Sequence, residues 1–151
     1  MKIERRIADN RLYGDRRDKA NIKYIVVQTI ENRPTAHYHV VNGEAIQLVP
    51  DGNMSNSVNG GKLSPKGILH GICTKYNSIS IGLPYNLTPE DIQTCIKLIM
   101  TIKQRYNVES ENVIRQMDIT GEPNPERWFK DDKWNKDIKS NLIDVKKEVA
   151  E

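Results

Sequence analysis

Short apolar runs separated by polar segments predict a β-sheet built largely from the first half of the chain. The predicted strands lie at 22–29, 36–41, 45–49 and 78–82, with a further short candidate at 112–114. The first run contains Ile25, Val26 and Val27 in succession, which is typical of a strand that is buried on both faces. We expect the four main runs to pair into one sheet.

The second and third runs predict a hairpin. Asn42 and Gly43 lie between them, and an Asn-Gly pair between β-rich runs is a strong hairpin signal because both residues tolerate positive φ. His37 and His39 are two residues apart on the first strand of this hairpin, so both rings are expected on one face. Such a pair can chelate zinc. No third ligand is evident nearby in the sequence, which favours a structural role for the histidines.

The main helix is predicted to start near Thr88. Thr88 is a capping residue, and Pro89 suits the first helical turn. Glu90 and Asp91 favour the positive end of the helix dipole. The apolar residues that follow recur at helical spacing and predict a face that packs on the sheet. They are Ile92, Cys95, Ile96, Ile99, Ile102 and Tyr106.

A second amphipathic stripe lies towards the C-terminus. It consists of Trp128, Phe129, Trp134, Ile138, Leu142 and Val145. The two tryptophans could stack on sugars, but their place on the stripe favours a role in the core or at its edge.

Three segments lack these periodic patterns. Residues 1–21 are polar and predict an N-terminal arm, and residues 146–151 form a charged tail that is expected to fray. The domain proper is then predicted at 22–145. Within it, residues 51–74 are rich in Gly, Asn and Ser and predict a loop of more than about twenty residues, a length that is usually functional or mobile.

Composition limits the function classes. A chain of 151 residues with 28% charged and 37% hydrophobic residues fits one globular domain. The formal net charge of +3 is too small to predict nucleic-acid binding. No apolar run approaches the ~20 residues of a membrane span, and no apolar leader is visible. We therefore expect no membrane association and a cytoplasmic location as synthesised, with Cys73 and Cys95 reduced.

The stretch 115–125 carries the most specific pattern in the chain. Its frame resembles the closing motif of the zinc-dependent N-acetylmuramoyl-L-alanine amidases of the phage lysozyme and peptidoglycan-recognition type. That motif runs His-x-Asp-x-x-Gly-Lys-x-Cys-Pro, or has Asp in place of Cys. Asp118, Gly121 and Pro125 keep the frame in this sequence.

Three further segments resemble the same family. Residues 23–29 are similar to its strand Tyr-Ile-Val-Ile-His-x-Thr, 36–50 to its Ala-His-Tyr-x-Val hairpin, and 76–83 to its Asn-Ser-Ile-x-Ile-Gly-x-Glu strand. The resemblance covers roughly 22–130 and implies an α/β fold with a mixed central β-sheet flanked by helices. Segment 30–35 is too short for the helix that relatives carry there, so one flank of the sheet is expected to be exposed or covered by a partner.

The resemblance implies that the zinc site has been lost. The positions of the family's zinc ligands are occupied by Gln28, Gln116 and Asn124. Glutamine and asparagine amides are neutral, weak donors for zinc, so no bound zinc is expected. The family's lysine corresponds to Glu122, and its proton-transferring glutamate corresponds to Leu83, which cannot carry a proton. A tryptophan and a histidine of the family's groove correspond to Asn56 and Ser57.

These replacements predict a catalytically degenerate, amidase-like protein of phage or bacterial cell-wall lysis origin that binds peptidoglycan fragments. Its polar groove is expected to be bordered by Gln28, Asn56, Ser57, Gln116, Glu122 and Asn124. Two alternatives stay open. One is a protein-interaction or regulatory domain with no peptidoglycan role, which segments 30–35 and 51–74 favour because they change surfaces. The other is a residual amidase that uses different ligands, such as His37, His39 or His70.

Overall fold

The computed structural model describes residues 1–30, 35–58 and 67–142. The strands in this part of the chain are β1 (Ile3–Arg5), β2 (Tyr24–Thr29), β3 (Tyr38–Val41), β4 (Glu44–Gln47), β5 (Ser78–Leu83) and β6 (Val113–Arg115). Its α-helices are α1 (Pro89–Tyr106), α2 (Met117–Thr120) and α3 (Asp131–Asp137). Single 3₁₀ turns occur at Asn10–Leu12, Lys19–Asn21, Ser110–Asn112, Glu126–Trp128 and Lys139–Asn141.

The strands form one mixed sheet in the order β1-β4-β3-β5-β2-β6. β3 and β4 pair antiparallel across the predicted hairpin, with Asn42 at a φ of 50° and Gly43 at a φ of 75°. The other pairings in the sheet are parallel. All four main predicted strands lie in this sheet, so the α/β class with a mixed central sheet is confirmed. The predicted N-terminal arm is joined to it, because β1 pairs with β4.

One face of the sheet packs on α1. The helix begins as predicted: Asp91 N–H donates to Thr88 Oγ1 (3.1 Å), and Thr88 N–H donates to Asp91 Oδ2 (3.1 Å). The predicted apolar stripe faces the sheet, with Ile99 fully buried and Ile92 and Ile96 at its partly buried margin. Each large apolar side chain buried in this way contributes about 1.5–3 kcal/mol. The strand residues in this core include Ile25, Val27, Ile79, Ile81 and Leu83.

The opposite face of the sheet has a smaller apolar cluster. It consists of Val26, Val58, Cys73, Ile114 and Ile119. Because strand side chains alternate between faces, Gln28 on β2 and Ser80 on β5 fall on this second face. Both are buried. This face therefore combines a small core with polar groups towards the carboxyl ends of the strands.

The C-terminal stripe is interrupted rather than continuous. Trp128 and Trp134 are 0% and 4% exposed and their rings lie 5.5 Å apart, so the predicted core role of both tryptophans is confirmed. Phe129 is 49% exposed, contrary to its predicted place on the stripe. The reason is that Trp128 ends a 3₁₀ turn, whose period of three differs from the 3.6 assumed for a helix. Val145 and the predicted tail lie outside the described residues.

Two surface predictions also fall partly outside the described residues. They concern residues 31–34 of the shortened segment and residues 59–66 of the long loop. None of the helices in the described ranges combines the length and the apolar character that crossing a bilayer requires.

Candidate functional site

A polar cluster lies where the parallel strands β6, β2 and β5 end at one edge of the sheet. Gln28 is the penultimate residue of β2, and Gln116 directly follows β6. Gln116 N–H donates to Val27 O (3.0 Å), which extends the pairing of the two strands by one residue. In open α/β sheets, ligands bind in the crevice outside the carboxyl ends of the strands. The cluster therefore lies in the part of the sheet where ligands commonly bind, which makes it the candidate site.

Gln28 and Gln116 contact each other directly. Gln28 Nε2 donates to Gln116 Oε1 (3.0 Å) and to the backbone oxygen of Ser57 (3.2 Å). Both glutamines are buried, with 2% and 7% exposure. Because a backbone oxygen can only accept, the bond to Ser57 fixes which way the Gln28 amide points.

This orientation leaves Gln28 Oε1 without a hydrogen-bond partner among the described residues. Roughly 90% or more of buried polar atoms in proteins have such a partner, and a missing one costs about 1–3 kcal/mol. The oxygen can accept a hydrogen bond from an N–H or O–H group of a ligand. Among the buried polar side-chain atoms that the structure describes, it is the one that lacks a hydrogen-bond partner.

Asn124 joins the same edge of the sheet through the backbone of β2. Thr29 N–H donates to Asn124 Oδ1 (2.7 Å), and Asn124 Nδ2 donates to Thr29 O (3.4 Å). Met117 N–H donates to Asn124 O (3.0 Å), which closes the intervening loop, and the Asn124–Pro125 peptide bond is cis. The three positions that the resemblance assigns to zinc ligands therefore lie at one sheet edge. We call Gln28, Gln116 and Asn124 the amide cluster.

Arg115 organises the segment that returns Asn124 to β2. Its guanidinium donates to Asp118 Oδ1 (3.0 Å), to Trp128 O (2.9 Å) and to Asp131 Oδ1 (2.9 Å). It also lies 5.7 Å from the centroid of the Trp134 ring. The sequence offers only one hint of this role, the spacing of three residues between Arg115 and Asp118. A single buried guanidinium thus connects the loop, the 3₁₀ turn and the start of α3.

A chain of hydroxyl groups runs from the cluster to His37. Ser57 Oγ donates to Ser80 Oγ (3.2 Å), and Ser80 N–H donates to His37 Nδ1 (3.1 Å). Nε2 therefore carries the ring proton, which it donates to Asn53 O (2.8 Å). Burial lowers the pKa of His37 to about 4, so the ring is neutral near pH 7. With both nitrogens occupied, His37 is a structural histidine rather than a metal ligand.

The other histidines do not complete a metal site. His39 Nε2 accepts a hydrogen bond from Ala36 N–H (3.3 Å), and burial lowers the pKa of His39. His70 forms a one-residue bridge with Cys73. Across the described ranges, no group of three His, Cys, Asp or Glu side chains could hold a metal ion. The geometry thus gives no support to a residual amidase with His37, His39 and His70 as ligands.

Three other residues that the resemblance assigns to positions of the family's site have contacts outside the amide cluster. Leu83 is 2% exposed and packs in the core on the α1 face, opposite Gln28. This location corrects the assignment of the family's glutamate to Leu83, because the side chain points away from Gln28. The Gly-x-Glu spacing of the family, counted from Gly82, leads to Pro84 instead. Glu122 is exposed, and its N–H donates to Thr120 Oγ1 (3.2 Å). Asn56 Oδ1 lies against Gly14 of the N-terminal arm.

A cleft of 240 Å³ adjoins the amide cluster. Its lining residues are Thr29, Tyr85, Leu87, Pro125, Glu126 and Arg127. Two of these residues connect the cleft to the amide cluster. Thr29 is hydrogen-bonded to Asn124, and Pro125 follows Asn124 in the chain. Tyr85 OH donates to Glu126 Oε2 (3.0 Å). The cleft offers an aromatic ring, a carboxylate and a guanidinium, which together suit a ligand with peptide and carboxylate groups.

Solved structures of similar fold include PlyL, an endolysin and an N-acetylmuramoyl-L-alanine amidase. PlyL matches with a TM-score of 0.72 and 16% identity, covering 95% of this chain and 99% of PlyL. A mutant endolysin from Bacillus subtilis matches with 0.72 and 20%, covering 95% and 99%. The N-acetylmuramoyl-L-alanine amidase LysC from Clostridium intestinale URNW matches with 0.60 and 15%, covering 83% and 89%. The chain therefore has the fold of these amidase domains.

Comparison by sequence gives no match, in contrast to comparison by structure. No family model matches the chain, and no curated protein matches it.

The zinc ion that the resemblance implies does not fit the residues present. Zinc in proteins is bound by thiolates, imidazoles and carboxylates. Asn124 Oδ1 already accepts from Thr29, and Gln116 Oε1 already accepts from Gln28. A zinc ion would have to displace these hydrogen bonds and would gain only neutral amide oxygens. The cluster is built for hydrogen bonding.

Proposed function

We propose that this chain is a non-hydrolytic, amidase-like protein that binds peptidoglycan fragments at the amide cluster. The observation that carries the proposal is the buried, unpartnered Gln28 Oε1 at the carboxyl edge of the sheet. The choice of ligand rests on the fold, because solved structures that share it include an endolysin and an N-acetylmuramoyl-L-alanine amidase.

The chemistry of the cluster is the reason for proposing binding without hydrolysis. Cleaving an amide requires a polarised carbonyl, an activated water and a group that moves a proton. Gln28, Gln116 and Asn124 are neutral and hold their protons at every accessible pH. His37 is linked to Gln28 through Ser57 and Ser80, and both of its ring nitrogens are engaged in hydrogen bonds. Leu83 lies in the core on the other face. These residues offer no base to a water molecule.

Recognition would depend on hydrogen bonds and on the adjoining cleft. A muropeptide presents amide N–H groups, which can donate to Gln28 Oε1. Arg127 in the cleft can pair with a ligand carboxylate, and Tyr85 and Leu87 can contact its methyl groups. A satisfied hydrogen bond at a buried acceptor is worth about 1 kcal/mol, and removing the acceptor should therefore weaken binding roughly five- to tenfold.

Calorimetric titration with N-acetylmuramoyl-L-alanyl-D-isoglutamine tests the proposal. Gln28→Met keeps the length of the side chain and removes its acceptor and donors, so we expect about a tenfold loss of affinity. The matched control is Gln104→Met, the same chemical change at an exposed position on α1, which should bind like the parent. Mass spectrometry of the incubated ligand should show it intact.

The outcomes separate the alternatives. Release of free alanyl-isoglutamine would contradict the non-hydrolytic function. Equal binding by Gln28→Met and the parent would show that the amide cluster is not the site. Absence of any muropeptide binding in the folded parent would favour the protein-interaction domain.

A further inference from the structure

A second, basic cleft lies between the N-terminal arm, the loop after β4 and the C-terminal end of α1. Its volume is 630 Å³, and it shares no lining residue with the amide cluster. Four cationic side chains and one carboxylate line it, a net of three positive charges. These five residues are Arg5, Arg16, Lys19, Arg105 and Asp51.

Three of the cations have no anionic partner in the part of the chain that the structure describes. Arg5, Arg16 and Lys19 are exposed, and none of them forms an ion pair or side-chain hydrogen bond with another described residue. Nearby arginines differ: Arg6 pairs with Glu4 (2.9 Å) and Arg11 with Asp9 (3.0 Å). Among these arginines of the N-terminal arm, the two without an ion pair, Arg5 and Arg16, line the cleft. Unpaired guanidinium groups gathered around one concavity favour an anionic ligand.

Asp51 does not cancel this charge, because its own side chain is already engaged. Tyr38 OH donates to Asp51 Oδ1 (2.7 Å), Tyr106 OH donates to Oδ2, and Arg105 lies 3.1 Å from Oδ2. Burial and then the carboxylate raise the pKa of both tyrosines, so they remain donors. Arg105 also offsets the partial negative charge at the end of α1.

The backbone holds the cations at fixed positions. Arg5 pairs with Gln47 in the β1–β4 register, and Arg16 forms a bridge with Asn53. Arg17, between them and the sheet, donates to Asp51 O (3.0 Å) and Ser78 O (2.7 Å). The backbone around Arg5 and Arg16 is therefore held by the fold, so a ligand would not have to order it.

We propose that this basic cleft binds a phosphodiester polymer that lacks bases, of the polyol-phosphate type. Arginine is the preferred partner of phosphate because its planar fork matches two phosphate oxygens. Clefts that bind single-stranded nucleic acid add several aromatic rings for stacking. Tyr106 is the one aromatic residue in the described lining, and its hydroxyl is bound to Asp51. The cleft thus provides for phosphates and not for bases.

Calorimetric titration with a synthetic glycerol-phosphate hexamer at 50 and 200 mM salt tests this proposal. We expect binding at low salt and a linear fall of log K with log salt. The double variant Arg16→Gln, Lys19→Gln should bind about tenfold more weakly, with the salt slope reduced by roughly two, since each phosphate contact contributes about one. The matched control Lys133→Gln, Lys136→Gln loses the same charge from exposed positions on α3 and should stay within about twofold, because distant charges are screened.

Three results would overturn the proposal. The folded parent could fail to bind the hexamer at 50 mM salt. Both double variants could weaken binding equally, which would indicate general attraction by net charge. A thymidine hexanucleotide could bind more tightly than the glycerol-phosphate hexamer, which would indicate nucleic acid. Amide chemical shifts of Gly52 and Asn53 should move with the polymer while those of Gln28 and Gln116 stay, so failure here is distinguishable from failure of muropeptide binding.

Discussion

Two buried polar centres in this molecule differ in how completely they satisfy themselves. Both oxygens of Asp51 accept hydrogen bonds, from Tyr38, Gln47, Arg105 and Tyr106. In the amide cluster, Gln28 donates to Ser57 and Gln116, but its oxygen receives no hydrogen bond in the described structure. The Asp51 centre joins β3, the loop after β4 and α1, whereas the amide cluster leaves one acceptor, Gln28 Oε1, for a ligand.

This difference indicates a structural role for the Asp51 centre and a binding role for the amide cluster. A fully bonded network stabilises and specifies the fold, and breaking it leaves groups that are costly to bury. An unpaired buried acceptor lowers stability by itself, and the proposed ligand would complete it. The contrast can be tested by changing each centre in turn.

The largest effect is expected from converting the amide cluster into a zinc site. Gln28→His, Gln116→His and Asn124→Cys together should raise zinc affinity by at least about a thousandfold, or about 4 kcal/mol, because imidazole and thiolate are good zinc donors. The parent is expected to hold far less than one zinc per chain by elemental analysis after dialysis. Zinc titration of both proteins measures the difference.

A folded triple variant that binds zinc no better than the parent would show that these three side chains do not converge on one point. Stoichiometric zinc in the parent would count against the proposed loss of catalysis. Leu83→Glu is not a useful addition to this variant, because it would bury an unpaired carboxylate in the core on the opposite face.

Disrupting the Asp51 centre should lower the stability of the fold. Asp51→Ala removes the acceptor of the Tyr38 hydroxyl, which would keep only the hydrogen bond that it accepts from Arg105 (3.0 Å). We expect the free energy of unfolding in urea to fall by about 1–3 kcal/mol, because the tyrosine hydroxyls lose their acceptor. Asp51→Asn keeps one acceptor oxygen and should lose clearly less. Equal stability of Asp51→Ala and the parent would contradict the structural role given to this centre.

Burial of a neutral His37 should make the free energy of unfolding depend on pH. Its folded pKa of about 4 lies below the ordinary value of 6.5, so the unfolded chain binds more protons between these pH values. The stability that depends on a neutral His37 is complete above pH 6.5 and is lost as the pH falls towards 4, by about 3 kcal/mol in all.

Urea unfolding of the parent and His37→Gln across this range measures the effect. The difference in unfolding free energy between the two proteins should shrink as the pH falls. If that difference is independent of pH, His37 does not titrate as a buried neutral ring.

The fold was predictable where local patterns and burial agree. The run at 25–27 predicted an interior strand, and β2 lies between β5 and β6. The sequence Thr88-Pro89 predicted the start of α1 because capping depends on residues adjacent in the chain. The assignment to Leu83 failed for a related reason: a displacement of one residue in a strand moves the side chain to the other face.

The amide cluster was predictable as a set of residues but not as a set of contacts. The frame of Asp118, Gly121 and Pro125 singled out Gln116 and Asn124. No local pattern shows that Gln28 bonds the backbone of Ser57, 29 residues away, or that one amide oxygen is left over. Arg115 was missed because its partners at 118, 128 and 131 are brought together only by the folded loop.

By itself, the sequence determined the order of the four main strands and α1, the apolar face of α1 and the neutral character of the residues in the amide cluster, because these depend on residue type and short spacing. Tertiary structure alone decided which side chains meet. The basic cleft joins Arg5 to Arg105, and the Asp51 centre joins Tyr38 to Tyr106. Such contacts arise from the pairing of β1 with β4 and the packing of α1 on the sheet, which place distant residues within hydrogen-bonding range.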